Sequence, residues 1–311
     1  DYPSAAGTGL VDLRTCARPD TILAEAGLDP ERLPPLAWPL DRLGSVTREA
    51  ADATGLREGT VVMTGGCDIN AEVMASWGFR PGRMTVSFGS TLALLLTTDT
   101  PVRIPGFVAG MSLVPGTWRV GAATSSGAKF LEWVGRLTGV AQPEARTRPT
   151  GIVMLPYLEG ARTPFHAPGA TCTVTGLTGT SEPWDIAWAA REALGYELSM
   201  LLEAISRKTP TPDTLEAGGG LAHVPEFMRL VADITGRRLR LHPDTDASFG
   251  DALVALSADV PLDRMDALPG IAEHLGKLDT VDPDPDRHEA YAPHRSRFVG
   301  MCRTMFPGYG I

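Results

Sequence analysis

Two strand-like runs, "RMTVSF" (83–88) and "LALLLTT" (92–98), are joined only by Gly89, Ser90 and Thr91. Apolar and β-branched residues on both sides of a short glycine-bearing turn predict an antiparallel hairpin. "TWRVGAAT" (117–124) reads as a third strand, and "SSGAKFLEWVGRL" then turns helical with Phe130, Val134 and Leu137 on one face. The last third alternates strand-like "TLEAGGG", helical "PEFMRLVADITG", strand-like "RLRLH" and helical "ASFGDALVALSA". Three strands and a helix, then strand, helix, strand, helix, describe one α/β domain over residues 82–311.

Ahead of it, residues 1–58 read as loops and short helices. A strand "TVVM" and a helix "INAEVMASWGF" follow, the latter with Ile69, Val73 and Trp77 at helical spacing. Pro81 and Gly82 break that pattern, which places a domain boundary there and makes residues 1–81 part of a first domain. A long helix is expected from about Ser181 to Ser206, with Ser181 as cap, Pro183 in the first turn and Trp184, Trp188, Leu194, Leu198, Leu201 and Ile205 as its buried stripe. Gly236 is placed to end the helix before "RLRLH". "DTVDPDPDR" reads as an exposed loop, and "RHEAYAPHRSRFVGMCRTM" as a broken helix.

Composition removes several function classes. With 37 acidic against 28 basic residues and a net charge of −9, the chain offers no basic footprint for nucleic acid. An anionic ligand would have to be held locally, by glycine-loop amides, helix N-termini or a divalent cation. The four cysteines lie far apart with no C-x-x-C pair, which indicates neither a zinc site nor a disulfide framework and suits a reducing cytoplasm. The longest apolar run, near "LALLL", is too short to span a bilayer.

Three glycine-bearing turns follow strands: "GGCD" (65–68), "SFGST" (87–91) and "AGGGLAH" (217–223). The dinucleotide fingerprint G-x-G-x-x-G fails because position 223 is His, and the chain holds no P-loop, H-E-x-x-H or G-x-S-x-G motif. A different phosphate chemistry remains open. In it a hairpin turn presents N–H and hydroxyl groups to the phosphates while a remote carboxylate takes the proton of the attacking hydroxyl. "SFGST" supplies the hydroxyls of Ser87, Ser90 and Thr91 around Gly89; "AGGG" supplies bare backbone against which a flat base can lie. Asp68 has two readings, a strand-end carboxylate close to a ligand or a helix N-cap.

In order and content these segments resemble the FGGY carbohydrate kinases, and within them the xylulokinase and ribulokinase branch. "GGCDINA" resembles the family's strand-end Gly-Asp segment, "SFGST" its phosphate-binding hairpin and "PYLEGARTP" (156–164) its Pro-Tyr-Leu-x-Gly-x-Arg-x-Pro run. "TVTGLTGTSEPWDIAWAARE" (173–192) resembles a second signature, and "AGGGLAHVPEFMRLVADITG" resembles the adenosine segment more loosely. The resemblance implies an actin-like, ribonuclease H-like ATPase fold of two α/β domains, with ATP, Mg²⁺ and a sugar, most naturally a ketopentose such as xylulose or ribulose, in the cleft between them. Asp68 is then the general base, and Gly89, Ser90 and Thr91 contact the ATP phosphates. Gly218, Gly219 and Gly220 face the adenosine, and Gly127 matches a family glycine near the nucleotide, although packing at a helix start accounts for it equally well.

The chain departs from the family pattern in places. Ile69 stands where Asn is usual, with Asn70 one place later as the candidate sugar contact. Ser90 replaces Thr, Leu92 a common Gly, and the adenosine segment is one residue longer around His223. No Asp-x-Gly-Thr-Thr phosphate loop occurs, so residues 1–81 resemble only the tail of the family's first domain. That leaves three readings: a sugar kinase, a kinase-like module that binds sugar or nucleotide without turnover, or a subunit completed by a separate N-terminal half. Oligomeric state is open, a homodimer included.

Overall fold

The computed structural model describes residues 1–242 and 246–308. Its N-terminal part carries α1 (Tyr2–Gly7), α2 (Asp20–Glu25), β1 (Arg42–Ser45), α3 (Arg48–Thr54), β2 (Val61–Met63) and α4 (Asp68–Ala75). β1 and β2 form a two-stranded antiparallel ribbon on which Leu43 is 68% exposed.

A seven-stranded mixed sheet follows. It contains β3 (Met84–Phe88), β4 (Leu92–Thr98), β5 (Val108–Met111), β6 (Trp118–Ala123), β9 (Thr214–Gly218), β10 (Arg238–His242) and β11 (Thr280–Val281), in the spatial order β11-β10-β9-β3-β4-β6-β5. β3 and β4 form the expected hairpin, and β9 lies parallel to β3. The N-to-C order three antiparallel strands, helix, strand, helix, strand, helix is thus realised, with β5 and β11 added at the two edges. β7 (Val153–Leu155) and β8 (Thr173–Thr175) make a separate short hairpin. All three residues of β7 are buried.

Helices cover both faces. α5 (Ala128–Thr138), α6 (Pro183–Ser206), α7 (Pro225–Thr235) and α10 (Pro285–Met305) bury their apolar residues against Met84, Val86, Phe88, Leu94, Val120, Leu215 and Leu239 in the larger core. α4, α8 (Ala247–Leu256) and α9 (Pro269–Gly276) lie over the other face, where Val73, Met74, Trp77, Leu253, Val254 and Leu95 form a second core. Each such fully buried side chain contributes roughly 1.5–3 kcal/mol.

Local signals set the helix ends in most places and fail in two. Gly236 ends α7 at φ +65°, as expected. α6 instead begins at Pro183, with Glu182 as N-cap and Asp185 answering it in a reciprocal pair of hydrogen bonds, so Ser181 is not the cap. Trp188 is 1% exposed, but Trp184, one turn earlier, is 45% exposed because the helix start projects beyond the core. α10 runs unbroken through Pro293, held by the burial of Tyr291, Phe298 and Cys302, which offsets the lost hydrogen bond.

Candidate active site

Asp68 is the first helical residue of α4, exposed, with Oδ1 accepting from the Ile69 N–H at 2.7 Å. The N-cap is Cys67, which corrects the capping alternative for Asp68. A carboxylate in the first turn still meets the positive end of the helix dipole. The position of α4 is set by α8: a Cβ at Gly250 would run into the Ala71 carbonyl, so only glycine lets the two helix backbones meet there.

The glycine turns lie against one another. Gly127 opens α5, and a Cβ on it would fall 2.6 Å from the Ser90 carbonyl oxygen, 2.7 Å from Thr91 Cα and 2.8 Å from the Gly89 oxygen. The first amides of α5 are spent on this contact, Ala128 N–H donating to Gly89 O at 3.0 Å and Lys129 N–H to Ser90 O at 3.4 Å. Gly219 has φ +89°, and a Cβ there would lie 2.8 Å from the Phe88 backbone, at the end of β3. Gly220 has open space where its side chain would be. Gly127, the Gly89–Thr91 turn and Gly218–Gly220 are therefore one contiguous surface, with Ser90 exposed at its tip.

Two cavities adjoin that surface. The smaller, about 190 Å³, is lined by Gly218, Gly219, Gly220, Ser87, Thr85 and Ser76, by Asp246 and by Glu72 of α4. Glu72 is one helical turn beyond Asp68, about 6 Å along the axis, so the helix that carries Asp68 also walls a space shared with the glycines. Burial raises the Glu72 carboxyl above its usual pKa, the Ser87 hydroxyl opposes this, and the Asp68 charge adds to it. The larger cavity, about 620 Å³, opens between α5, α6 and α7, with Leu131, Leu221, Val224 and Phe227 as apolar walls. Arg191 lines it, its Nη2 donating to Ala141 O at 3.0 Å. Burial pulls the Arg191 pKa down to about 10, with the Glu226 charge opposing.

Asn70, the candidate sugar contact, is buried in this chain. It is 2% exposed, and its Oδ1 accepts from Arg119 Nη1 of β6 at 2.7 Å. Glu72, Arg119 and Arg191 were not singled out in the sequence. Only Glu72 carried a signal there, the i, i+4 spacing from Asp68.

The groups beneath the site are unusually polar. Glu216 of β9 is fully buried; its Oε2 pairs with His242 Nε2 at 2.8 Å and its Oε1 with Arg240 at 3.2 Å and with Arg83. Burial pushes its pKa up, but His242, Arg240 and Arg83 outweigh that and hold it below the usual carboxylate range. Glu197 of α6 is 1% exposed beside Ser126, the residue before Gly127, and burial pushes its pKa up to about 8. Among the described residues no group of three or more His, Cys, Asp or Glu side chains is gathered for a metal ion, and no helix is long and apolar enough to cross a membrane.

Comparison with known proteins places the fold and the family. The chain is 26% identical over 323 residues to the xylulose kinase of Escherichia coli, covering 99% of this chain and 65% of that protein. It is 30% identical over 244 residues to the xylulose kinase of Streptomyces rubiginosus, covering 78% and 50%. Among solved structures, the xylulose kinase of Rhodospirillum rubrum superposes with a TM-score of 0.85 at 24% identity over all of this chain and 65% of the other. The match thus covers 50–65% of the length of these relatives. Residues 84–258 match the C-terminal domain of the FGGY family of carbohydrate kinases, the family with the actin-like ATPase fold to which this chain belongs.

Proposed function

We propose that the chain is the nucleotide-holding part of an ATP-dependent sugar kinase, acting on a ketopentose of the xylulose or ribulose type. The observation that carries this reading is the cavity walled on one side by the helix of Asp68 and on the other by Gly218–Gly220. Relatives that the chain matches over 49–65% of their own length are named xylulose kinase, gluconokinase and ribulokinase.

Adenosine fits the larger cavity, its base against Leu131, Leu221 and Val224, whose size and apolar lining suit a small-molecule site. The phosphates then pass over Gly218–Gly220 toward Ser90 and Thr91. There, backbone N–H groups and hydroxyls replace water around the oxygens without reorganising. Asp68, exposed at the N-terminus of α4, accepts the proton of the sugar hydroxyl as its oxygen bonds to the γ-phosphorus and the bond to ADP breaks. Mg²⁺, when bound with ATP, neutralises charge on the phosphates; it takes most ligands from phosphate and water, and Glu72 and Asp246 are the carboxylates this cavity adds.

Residues 1–81 are proposed as the closing part of the first, sugar-binding domain and 82–311 as the second, nucleotide-binding one. The β1–β2 ribbon supports this, because an isolated two-stranded ribbon is marginal in water and its exposed Leu43 and Val62 suit a larger sheet.

The test is sugar-dependent ATP consumption against a panel of ketopentoses, with Asp68→Asn beside the wild type. Turnover falling by roughly 10² or more with nucleotide affinity within about twofold is expected. Unchanged turnover removes Asp68 as base, and nucleotide binding with no turnover on any sugar favours a binding module or a subunit awaiting a separate half.

A further inference from the structure

The base of the turn that carries Asp68 holds a cation without a counter-charge. Arg119 lies on β6 opposite Gly110 of β5. A Cβ at Gly110 would lie 3.5 Å from Arg119 Nε, an ordinary van der Waals contact, so the guanidinium runs close beside the edge strand. The side chain leaves the sheet and reaches α4, where Nη1 donates to Asn70 Oδ1. Arg119 is partly buried, and among the described residues it forms no ion pair, although eleven such pairs occur elsewhere in the chain. Its Nε and the Asn70 Nδ2 are buried donors without an acceptor. Burial lowers the Arg119 pKa, and the neighbouring Cys67 opposes this.

A buried charge with no carboxylate is a cost that packing alone does not explain, since an aliphatic side chain would fill the same track without it. The hydrogen bond of this guanidinium falls at Asn70, two places after Asp68 and inside the first turn of α4. It also joins the sheet to α4 across the proposed domain boundary.

Resting on the kinase reading above, we propose that Arg119 is a positioning residue: from β6 it ties down the Gly66–Asn70 turn through Asn70, and so fixes where the Asp68 carboxylate stands. It touches neither nucleotide nor sugar. A planar guanidinium presents its donor to the amide oxygen in a fixed direction, which a lysine ammonium on a flexible stem does less well.

The experiment compares Arg119→Ala, Arg119→Lys, Asn70→Ala and the Arg119→Ala/Asn70→Ala double variant with the wild type. Amide hydrogen exchange over residues 64–75 is read first, with α6 as internal control, because it needs no activity. Exchange at the turn is expected to rise about tenfold in both Arg119 variants while α6 stays unchanged. Turnover is expected to fall by about 10² with both KM values within about twofold, since a misplaced base costs rate rather than binding. The double variant is expected to lose no more than Arg119→Ala alone.

Unchanged exchange at 64–75, an equal rise throughout the chain, or a tenfold rise in sugar KM at constant kcat would each overturn the proposal. If Arg119→Ala does not fold, Arg119→Lys and Asn70→Ala decide it by the same readings. Should the wild type phosphorylate no sugar, the kinase reading fails, while the exchange measurement still decides whether Arg119 holds the turn.

Discussion

Replacing Glu197 with glutamine is expected to make the protein more stable at alkaline pH and to leave it nearly unchanged at pH 5. Glu197 sits inside the larger core, 1% exposed, with Ser126, Tyr157 and Cys302 around it and, among the described residues, no cation paired with it. Its carboxyl rises from 4.5 to about 8, so between those values the folded chain holds a proton that the unfolded chain has lost. Stability supplied by the protonated form is therefore complete below about pH 4.5 and declines as pH rises toward 8, at up to about 1.4 kcal/mol per pH unit. A shift of three and a half units corresponds to at most roughly 5 kcal/mol, less where water reaches the ionised group. Glutamine mimics the neutral acid and removes the dependence. Glu192, raised to about 7 by burial although Thr150 N–H and Oγ1 donate to it, contributes a smaller decline of the same sign in both proteins. The assay is urea unfolding of both proteins at intervals from pH 5 to pH 9. Curves that run parallel across that range would refute the burial argument, since they would mean that Glu197 is ionised and solvated throughout.

Gly127→Ala would press a methyl group into the backbone of residues 89–91, where nothing flexible can yield; a loss of about 1–3 kcal/mol is expected. Nucleotide affinity should fall with it, and calorimetric titration showing wild-type affinity would uncouple the hairpin from nucleotide binding. Glu216→Ala removes the carboxylate that His242, Arg83 and Arg240 share. Because the two arginines reach solvent, the cost should sit near the lower end for a broken buried pair, about 3 kcal/mol, and a change under about 1 kcal/mol in urea unfolding at pH 7 would show that water already screens the cluster.

Much of the architecture was legible because its signals are local. The β3–β4 hairpin, β9, α7 with Gly236 and the helix of Asp68 each follow from periodicity, turn residues or caps within one segment. The short strands β1, β5, β8 and β11 were not, because two to four residues carry too little pattern and exist only through pairing partners elsewhere in the chain. Trp184 and Trp188 show the same divide: the helical period places them together, and only the projection of the helix start beyond the core separates them.

By itself the sequence determined which turns carry glycine, which carboxylate begins α4 and in what order strands and helices come. Tertiary structure decided which of these meet. Gly127 and Ser90, Glu72 and Gly218, and Asn70 and Arg119 are 37, 146 and 49 residues apart, and their contacts depend on sheet register and on the close crossing of α4 over Gly250. Side-chain direction, the property that turned Asn70 inward and left Asp68 outward, follows from that packing rather than from residue type.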